Sequence, residues 1–117
     1  MNKKVFAIVT AAVMAVLVLT ACGGGAQPEG IVIKGEDIAF SPKDVSAKAG
    51  EITITFQNTG SIEHSLIIEG LGVKLEKVQP GESASTTVQA AAGTYEMLCD
   101  VPGHKEAGMV GTLTITP

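Results

Sequence analysis

Four side chains of this 117-residue chain have the chemistry of ligands for a soft metal ion. Cys99, His104 and Met109 follow one another at intervals of five residues, and His64 is the only other histidine. Ligands so close in sequence converge on one ion only if the backbone between them forms a tight loop, and Pro102-Gly103 has the turn residues for one. The spacing therefore predicts a loop that follows a strand ending at Cys99 and gathers a thiolate, an imidazole and a thioether.

The complete set of donors indicates which metal this loop would bind. Adding His64 gives two imidazoles, one thiolate and one thioether. Two histidines and a cysteine in a trigonal arrangement, with a weak axial methionine, form the ligand set of blue-copper electron-transfer centres. One copper ion, alternating between Cu(I) and Cu(II), is therefore the predicted cofactor. Met97 is a competing thioether, but its position two residues before Cys99 directs it into the core, where methionine commonly fills space.

The segments around these ligands resemble the cupredoxins, the family of small blue-copper proteins that includes plastocyanin and azurin. The resemblance rests on Gly93-Thr-Tyr-Glu-Met-Leu-Cys99 and on Met109-Val-Gly-Thr-Leu-Thr-Ile-Thr116, with His64 at the position of the family's upstream histidine. The interval from Cys99 to His104 is similar to azurin, whereas the ending after His104 is similar to plastocyanin. The resemblance covers residues 31–117 weakly and implies an all-β fold, a cupredoxin-like Greek-key β-sandwich.

Three neighbouring residues are expected to orient the ligands or to complete the site. Ser65 occupies the position where the family places a hydrogen-bonding residue, often asparagine, that ties the histidine strand to the cysteine loop. Asp100 directly follows Cys99, and the backbone carbonyl of Glu63, just before His64, is the alternative to Met97 should Met109 not be the axial ligand. Groups that contact metal ligands in this way set their orientation and tune the metal.

The N-terminus has the pattern of a bacterial lipoprotein signal. Met1-Asn-Lys-Lys4 is positively charged, Val5 to Leu19 is apolar, and Leu19-Thr20-Ala21-Cys22 resembles a lipoprotein cleavage box. Residues 1–21 are therefore predicted to be a signal peptide, and diacylated Cys22 to anchor the mature chain to a membrane on its extracytoplasmic face. The alternative is a permanent transmembrane helix, but fifteen apolar residues fall short of the ~20 that span a bilayer.

The mature chain is predicted to be one small domain on a tether. Its 96 residues suit a single domain. Residues 22–30 are glycine-rich without a hydrophobic period and are predicted to be a flexible tether, so residues 31–117 are the expected domain. Without the two signal-peptide lysines the formal net charge falls from −4 to −6, and the chain has no arginine. Nucleic acid is excluded as a partner because no basic patch would neutralise its phosphates.

From Ile31 onward, short runs of alternating apolar and polar residues are interrupted by glycine, proline or asparagine. This pattern predicts a sandwich of short strands without a long helix. Residues 51–57 alternate large apolar residues with threonine, which is typical of a strand with one wet face. Ala49-Gly50 is predicted to close a hairpin before that strand, and His64 to begin the next strand on its core-facing side. Residues 71–79 are expected to form an irregular crossover with one short strand.

A copper site with a complete set of four protein ligands favours an electron carrier over an enzyme. No position is left open for a substrate, and no second histidine cluster exists for another copper. The alternatives are a copper-delivery lipoprotein and a structural domain that binds zinc, although the divalent affinity series places Cu(II) above Zn(II). The binuclear copper domain of cytochrome oxidase is excluded, since it requires two cysteines in one loop.

The loop around His104 is the predicted docking surface, because His104 is the ligand expected to expose its ring edge. The small or apolar residues beside it, here called the docking patch, are Pro102, Gly103, Ala107 and Gly108. The charged residues at the edge of the docking patch are Asp100, Lys105 and Glu106. A small patch with mixed charge at its edge favours weak, transient association. The expected partner is a redox protein of the cytochrome or oxidase type, and the chain itself is expected to be a monomer.

Overall fold

The structure of this chain is a computed structural model that describes residues 28–117. The predicted signal peptide, Cys22 and most of the predicted tether lie outside these residues. In chain order the strands of the described region are β1 Glu29–Glu36, β2 Ala39–Ser41, β3 Asp44–Lys48, β4 Gly50–Asn58, β5 His64–Ile68, β6 Val73–Val78, β7 Ser83–Ala90, β8 Gly93–Leu98 and β9 Val110–Thr116. A single turn of 3₁₀ helix, Glu69–Leu71, connects β5 to β6. Within residues 28–117, no helix combines the length and the hydropathy of a membrane span.

The strands form two sheets that enclose a common core. One sheet has the order β2-β1-β4-β7 and the other has the order β3-β9-β8-β5-β6. The pairs β1/β4 and β3/β9 are parallel, and neighbours in the sheets are mostly not neighbours in sequence. The chain therefore crosses repeatedly between the layers, and the predicted all-β sandwich is confirmed.

The core forms where the alternating apolar side chains of the two sheets meet. In β4, Ile52, Ile54 and Phe56 are completely buried, whereas the intervening threonines are only half-buried. Phe56 packs edge-to-face against Phe40 of β2, with ring centroids 6.1 Å apart and an interplanar angle of 77°. Burying one such side chain contributes about 1.5–3 kcal/mol, so the period-two pattern is sufficient to define the inner face of each strand.

The predicted hairpin at Ala49-Gly50 is wrong. The strand before it, β3, pairs in parallel with β9, whereas the strand after it, β4, lies in the other sheet between β1 and β7. Ala49 donates its N–H to the carbonyl of Thr116, 2.7 Å away, and Gly50 has φ 127°. The sequence predicts a hairpin because Ala-Gly joins two short strands. The alternation of apolar and polar residues identifies strands, but it does not identify their partners.

The first strand begins at Glu29, two residues before the predicted start of the domain at Ile31. β1 starts at Glu29, which is in register with Ile52 of β4, so Glu29 and Gly30 belong to the sheet and not to the tether. Glu29 also accepts a hydrogen bond at Oε2 from the N–H of Lys48, at 3.0 Å. Glu29 and Gly30 lack the apolar pattern that predicts a strand, but backbone pairing with β4 requires no apolar side chain.

The expected irregular crossover contains one well-formed strand. β6 pairs antiparallel with β5, and the register shifts between His64 and Leu66. Lys77 of β6 adopts φ 54° opposite this irregularity. A bulge of this kind changes the direction of a nearby side chain, and here it lies beside His64.

Candidate metal centre

Three of the predicted ligands converge at one end of the sandwich. His64 begins β5 and Cys99 follows the last residue of β8, and because these strands are antiparallel both residues lie at the same end. The donor atoms of His64, Cys99 and His104 all lie within 4.8 Å of one another, and all three residues are buried. Nδ1 of His104 is 3.2 Å from Nδ1 of His64 and 3.5 Å from Sγ of Cys99.

These separations fit one metal ion shared by the three donors. Bonds of about 2.0–2.1 Å to an imidazole nitrogen and about 2.3 Å to a thiolate, as at zinc sites, place two donors of one ion roughly 3–4 Å apart. The observed distances of 3.2 Å and 3.5 Å lie in this range. A cluster of one soft thiolate and two imidazoles, shielded from water, suits copper or zinc among the common metals.

His64 is held in a fixed orientation by a residue that no sequence motif indicates. Its Nε2 is 2.9 Å from Oδ1 of Asp37, which lies between β1 and β2. The opposite ring nitrogen, Nδ1, faces His104. The side chain of His64 has no exposed surface, so its two nitrogens have distinct and permanent surroundings.

The carboxylate of Asp37 is itself well supplied with donors. Both of its oxygens accept the backbone N–H of Ser61, at 3.0 and 2.9 Å, and Oδ2 also accepts the Ser61 hydroxyl. The hydroxyl of Ser61, the ring of His64 and the N–H of Ser61 together lower the pKa of Asp37 to about 2. No motif pointed to Asp37, because it lies 27 residues before His64 in the chain and meets it only in the folded sandwich.

Cys99 is tied to the histidine strand through Ser65. The N–H of Ser65 donates to Sγ of Cys99 at 3.3 Å. The Ser65 hydroxyl lies 3.5 Å from the same sulfur and 2.5 Å from Oδ1 of Asp100, and it accepts the N–H of Asp100 at 2.9 Å. The hydroxyl has only one proton to donate, and it donates this proton to Asp100, which forms the shorter, charge-assisted hydrogen bond. The backbone N–H of Ser65 is then the donor to the sulfur, and Ser65 and Asp100 link strand to loop as the resemblance implied.

The loop after Cys99 folds through local turn chemistry. The N–H of His104 donates to the carbonyl of Val101 at 3.0 Å, with Pro102 and Gly103 in between. Gly103 has φ 87°, as a type II turn requires at its third residue, where glycine is favoured. Met109 closes the loop, since its N–H donates to His104 at 3.0 Å and its carbonyl accepts the N–H of Cys99 at 3.1 Å.

His104 is the ligand that reaches the surface. It is 8% exposed, compared with 0% for His64. Its Nε2 has no hydrogen-bond partner among residues 28–117. Because every buried side-chain nitrogen or oxygen in this region has a partner, this Nε2 is not buried. The exposed edge of the imidazole therefore includes Nε2, on the side of the ring away from Cys99.

The two methionines near the site are both completely buried. Met97 packs in the core, where its methyl group is 2.8 Å from the position that a Cβ would take at Gly111; this is the core-filling role predicted for it. Met109 is bonded through its backbone to both Cys99 and His104, and its methyl group lies 3.4 Å from the position that a Cβ would take at Gly35, near the end of β1. Its role as axial ligand stays a prediction.

Glu63 lies beside the site, but its side chain does not orient a ligand. Its carboxylate accepts a hydrogen bond from Nε2 of Gln79 at 2.6 Å and is partly exposed. The contact links the residue before His64 to the residue after β6. The role predicted for Glu63, that of its backbone carbonyl as an alternative axial donor, stays a prediction.

The four residues of the docking patch are all exposed around the buried His104. Asp100, Lys105 and Glu106 are exposed at its edge. Lys105 forms an ion pair with Glu96, with Nζ and Oε1 3.4 Å apart and both side chains at least half exposed. An exposed pair of this kind is worth ~0–1 kcal/mol, so the lysine stays free to reorganise against a partner.

Comparison with known proteins identifies relatives over most of the chain. Barley (Hordeum vulgare) chloroplastic plastocyanin is 35% identical over 106 residues, which cover 80% of this chain and 66% of that protein. The copper-resistant cuproprotein CopI of Rubrivivax gelatinosus is 29% identical over 107 residues, which cover 72% of this chain and 64% of that protein. The chain thus spans just under two thirds of the length of these relatives.

A solved structure is also similar to this chain. The dithionite-reduced auracyanin of the photosynthetic bacterium Roseiflexus castenholzii superposes with a TM-score of 0.68 and is 27% identical, covering 80% of this chain and 100% of that chain. The family model described as the cupredoxin-like domain matches residues 8–115. On this match, together with the two-sheet sandwich and the His-Cys-His cluster, the chain belongs to the cupredoxin-like family.

Proposed function

We propose that this protein is an electron carrier whose single copper ion would be held by His64, Cys99 and His104 and, more weakly, by Met109. The observation that carries the proposal is the convergence of one thiolate and two imidazoles in a buried cluster from which only His104 reaches the surface. The copper ion would supply a one-electron Cu(I)/Cu(II) couple. The shared fold and cluster support copper as the cofactor.

The protein's contribution is to hold the donors still. His64 is fixed by Asp37, Cys99 receives the N–H of Ser65, and the backbone of Met109 bonds to both ends of the loop. Because these contacts constrain each donor independently of the metal, little rearrangement is needed when the charge on the site changes. A preorganised site of this kind favours repeated electron transfer over ligand exchange.

The docking patch is the proposed route for the electron. A partner that covers Pro102, Gly103, Ala107 and Gly108 would contact the exposed edge of His104, whose imidazole is itself one of the proposed metal ligands. The patch is small and uncharged at its centre, so it suits brief encounters with a redox protein of the cytochrome or oxidase type. No coordination position is assigned to a substrate, and the proposed role is therefore not enzymatic.

The optical spectrum of the full-length Cys22→Ser protein loaded with Cu(II) tests this function. We expect an intense thiolate-to-copper band, and the matched Cys99→Ser protein should lack it. A colourless parent that nevertheless binds Cu(II) would contradict a blue-copper site. Binding of Zn(II) in strong preference to both copper states would favour the structural zinc alternative.

Membrane anchoring through Cys22 is a second part of the proposal. The cleavage box before Cys22 and the glycine-rich tether support it, and an export signal of this kind would direct the copper domain to the extracytoplasmic side of a membrane. In the native host, Cys22→Ser should release the protein into the soluble fraction with an unchanged visible spectrum. A variant that stays in the membrane fraction would contradict lipidation at this residue.

Copper delivery is the competing function, and one observation favours it: the similarity to a protein named for copper resistance. Delivery requires that the ion leave readily, whereas an electron carrier must retain it through many redox cycles. Repeated voltammetric cycling in the presence of a copper chelator separates the two roles. Retention of copper with a reversible wave supports the carrier, and loss of copper on reduction supports delivery.

A further inference from the structure

We propose that Asp37 is a positioning residue that selects the metal-binding tautomer of His64 and, through that ring, lowers the reduction potential of the bound ion. The second part of this proposal rests on the proposed function, because a reduction potential requires the bound copper ion. The first part, the selection of the His64 tautomer, concerns the protein alone. It rests on the contacts between Asp37, Ser61, Gly60 and His64.

The hydrogen bond between Asp37 and His64 determines where the imidazole proton lies. An ionised carboxylate can only accept, and a neutral imidazole has one N–H and one acceptor nitrogen. The 2.9 Å contact between Oδ1 of Asp37 and Nε2 of His64 therefore places the proton on Nε2. The lone pair of Nδ1 is left facing Nδ1 of His104, where a metal ion would need it.

Asp37 is held in place independently of His64. Ser61 donates its N–H to both carboxylate oxygens and its hydroxyl to Oδ2. The segment that carries Ser61 is secured in turn by the buried Asn58, whose Nδ2 donates to the carbonyls of Ile62 at 2.8 Å and Val78 at 2.7 Å. The carboxylate is therefore presented to the ring by a rigid loop and not by a freely rotating surface side chain.

Gly60 makes room for this contact. A Cβ built at Gly60 would collide with Oδ1 of Asp37 and would lie 3.0 Å from Nε2 of His64. The backbone of Gly60 is not among the positive-φ glycines, so the glycine is required for space and not for a special conformation. The loop thus excludes any side chain at the one position where it would separate the carboxylate from the imidazole.

The effect on the metal follows from the charge next to the ring. A carboxylate that accepts the distal N–H of a ligating histidine increases the basicity of the other nitrogen. A more basic donor stabilises the more highly charged Cu(II) more than Cu(I), so the reduction potential falls. His104 has no corresponding carboxylate within residues 28–117, and the two imidazoles are therefore unequal donors.

The first experiment measures the tautomer in the metal-free protein. Long-range ¹H–¹⁵N NMR at mildly alkaline pH should show the proton of His64 on Nε2 in the parent. In Asp37→Ala that single tautomer should be lost. A proton on Nδ1 in the parent, or the same Nε2–H tautomer in Asp37→Ala, would overturn the proposal. This readout needs no copper, so it decides the role of Asp37 even if the electron-transfer function fails.

The second experiment compares Asp37→Asn with Glu36→Gln in the copper-loaded protein. Glu36 is the adjacent exposed carboxylate and has no hydrogen bond to His64, so it controls for the loss of one negative charge. Loss of a group that supports a metal ligand typically weakens metal binding about 10–100-fold. We expect Asp37→Asn to weaken Cu(II) binding about tenfold more than Cu(I) binding, which corresponds to a potential raised by about 59 mV for one electron. Equal shifts in the two variants would show a general charge effect and overturn the tuning role.

Gly60→Ala tests the same contact without removing any charge, and Gly30→Ala is its matched control because a Cβ there meets nothing within 4 Å. We expect Gly60→Ala to displace Asp37, to perturb the His64 tautomer and to raise the potential as Asp37→Asn does. An unchanged tautomer and potential in a folded Gly60→Ala protein would contradict the spatial role of Gly60. If Gly60→Ala fails to fold, Asp37→Asn and Asp37→Ala decide the proposal.

Discussion

The two histidines of the cluster are positioned by opposite means. His64 lies on a strand, is completely buried and is held by Asp37 from a loop of the other sheet. His104 lies on a loop that is closed by local backbone hydrogen bonds to Val101 and Met109, and one edge of its ring is exposed. The His64 side of the cluster is therefore a product of long-range packing, whereas the His104 side is a product of turn chemistry.

This difference suggests a division of labour within one site. An electron carrier needs a rigid cage, and it also needs a short path to its partner. In the proposed function, the buried, carboxylate-anchored His64 would meet the first need, and the exposed edge of His104 would meet the second. Cys99 joins the two sides, since its sulfur lies 3.5 Å from Nδ1 of His104 and accepts the N–H of Ser65 next to His64.

Replacing the residue that both sides share should have the largest effect. In Cys99→Ser the thiolate is absent, so the thiolate-to-copper band should disappear completely even if the two imidazoles still bind some copper. Visible absorption of the copper-loaded protein measures this directly. The control is Cys22→Ser, which should keep the full band. A strong charge-transfer band that survives in Cys99→Ser would exclude Cys99 as the ligand.

The second prediction compares the two histidines directly. His104→Gly should open the site to solvent, and added imidazole should enter the gap and restore the colour while electron exchange with a protein partner stays slow. His64→Gly should not be rescued, because that side chain is completely buried behind Asp37. Titration with imidazole, followed by absorption, distinguishes the two. Equal rescue of both variants would contradict the asymmetry, and full activity of His104→Gly without imidazole would exclude His104 as the electron route.

The third prediction concerns the stability of the His64 side. Asn58→Ala should lower the free energy of unfolding of the metal-free protein by about 2–3 kcal/mol, because it leaves the buried carbonyl of Val78 and the carbonyl of Ile62 without their donor. Denaturant unfolding measures the change. Glu51→Ala, at the exposed start of the same strand, is the control and should change stability by about 0.5 kcal/mol or less. Similar losses in both variants would mean that Asn58 does not secure the loop.

The smallest effect is expected at Met109, which tunes the site without creating it. Met109→Gln places a harder oxygen donor near the ion and should lower the reduction potential, whereas Met109→Leu removes the donor and should raise it. Both variants should keep a thiolate-to-copper band, since the other three ligands are intact. Voltammetry on the parent and the two variants measures the three reduction potentials. Any order other than Gln below Met below Leu would exclude Met109 as the axial ligand and favour Met97 or the carbonyl of Glu63.

Much of the fold and of the candidate site could be predicted because the responsible interactions are local. Alternation of apolar and polar residues identified the inner faces of the strands, since burial depends on the side chain itself. The loop from Cys99 to Met109 could be predicted from Pro102-Gly103, because a type II turn depends on the conformational preferences of those two residues.

Strand partners and the surroundings of His64 required the tertiary structure. The pairing of β3 with β9 depends on hydrogen bonds between segments far apart in sequence, and the turn at Ala49-Gly50 contains no information about them. The contact between Asp37 and His64 bridges 27 residues and depends on the loop that carries Gly60 and Ser61. An exposed aspartate between two strands is an ordinary feature of a sequence, and only the meeting of the two sheets makes it the partner of a buried ligand.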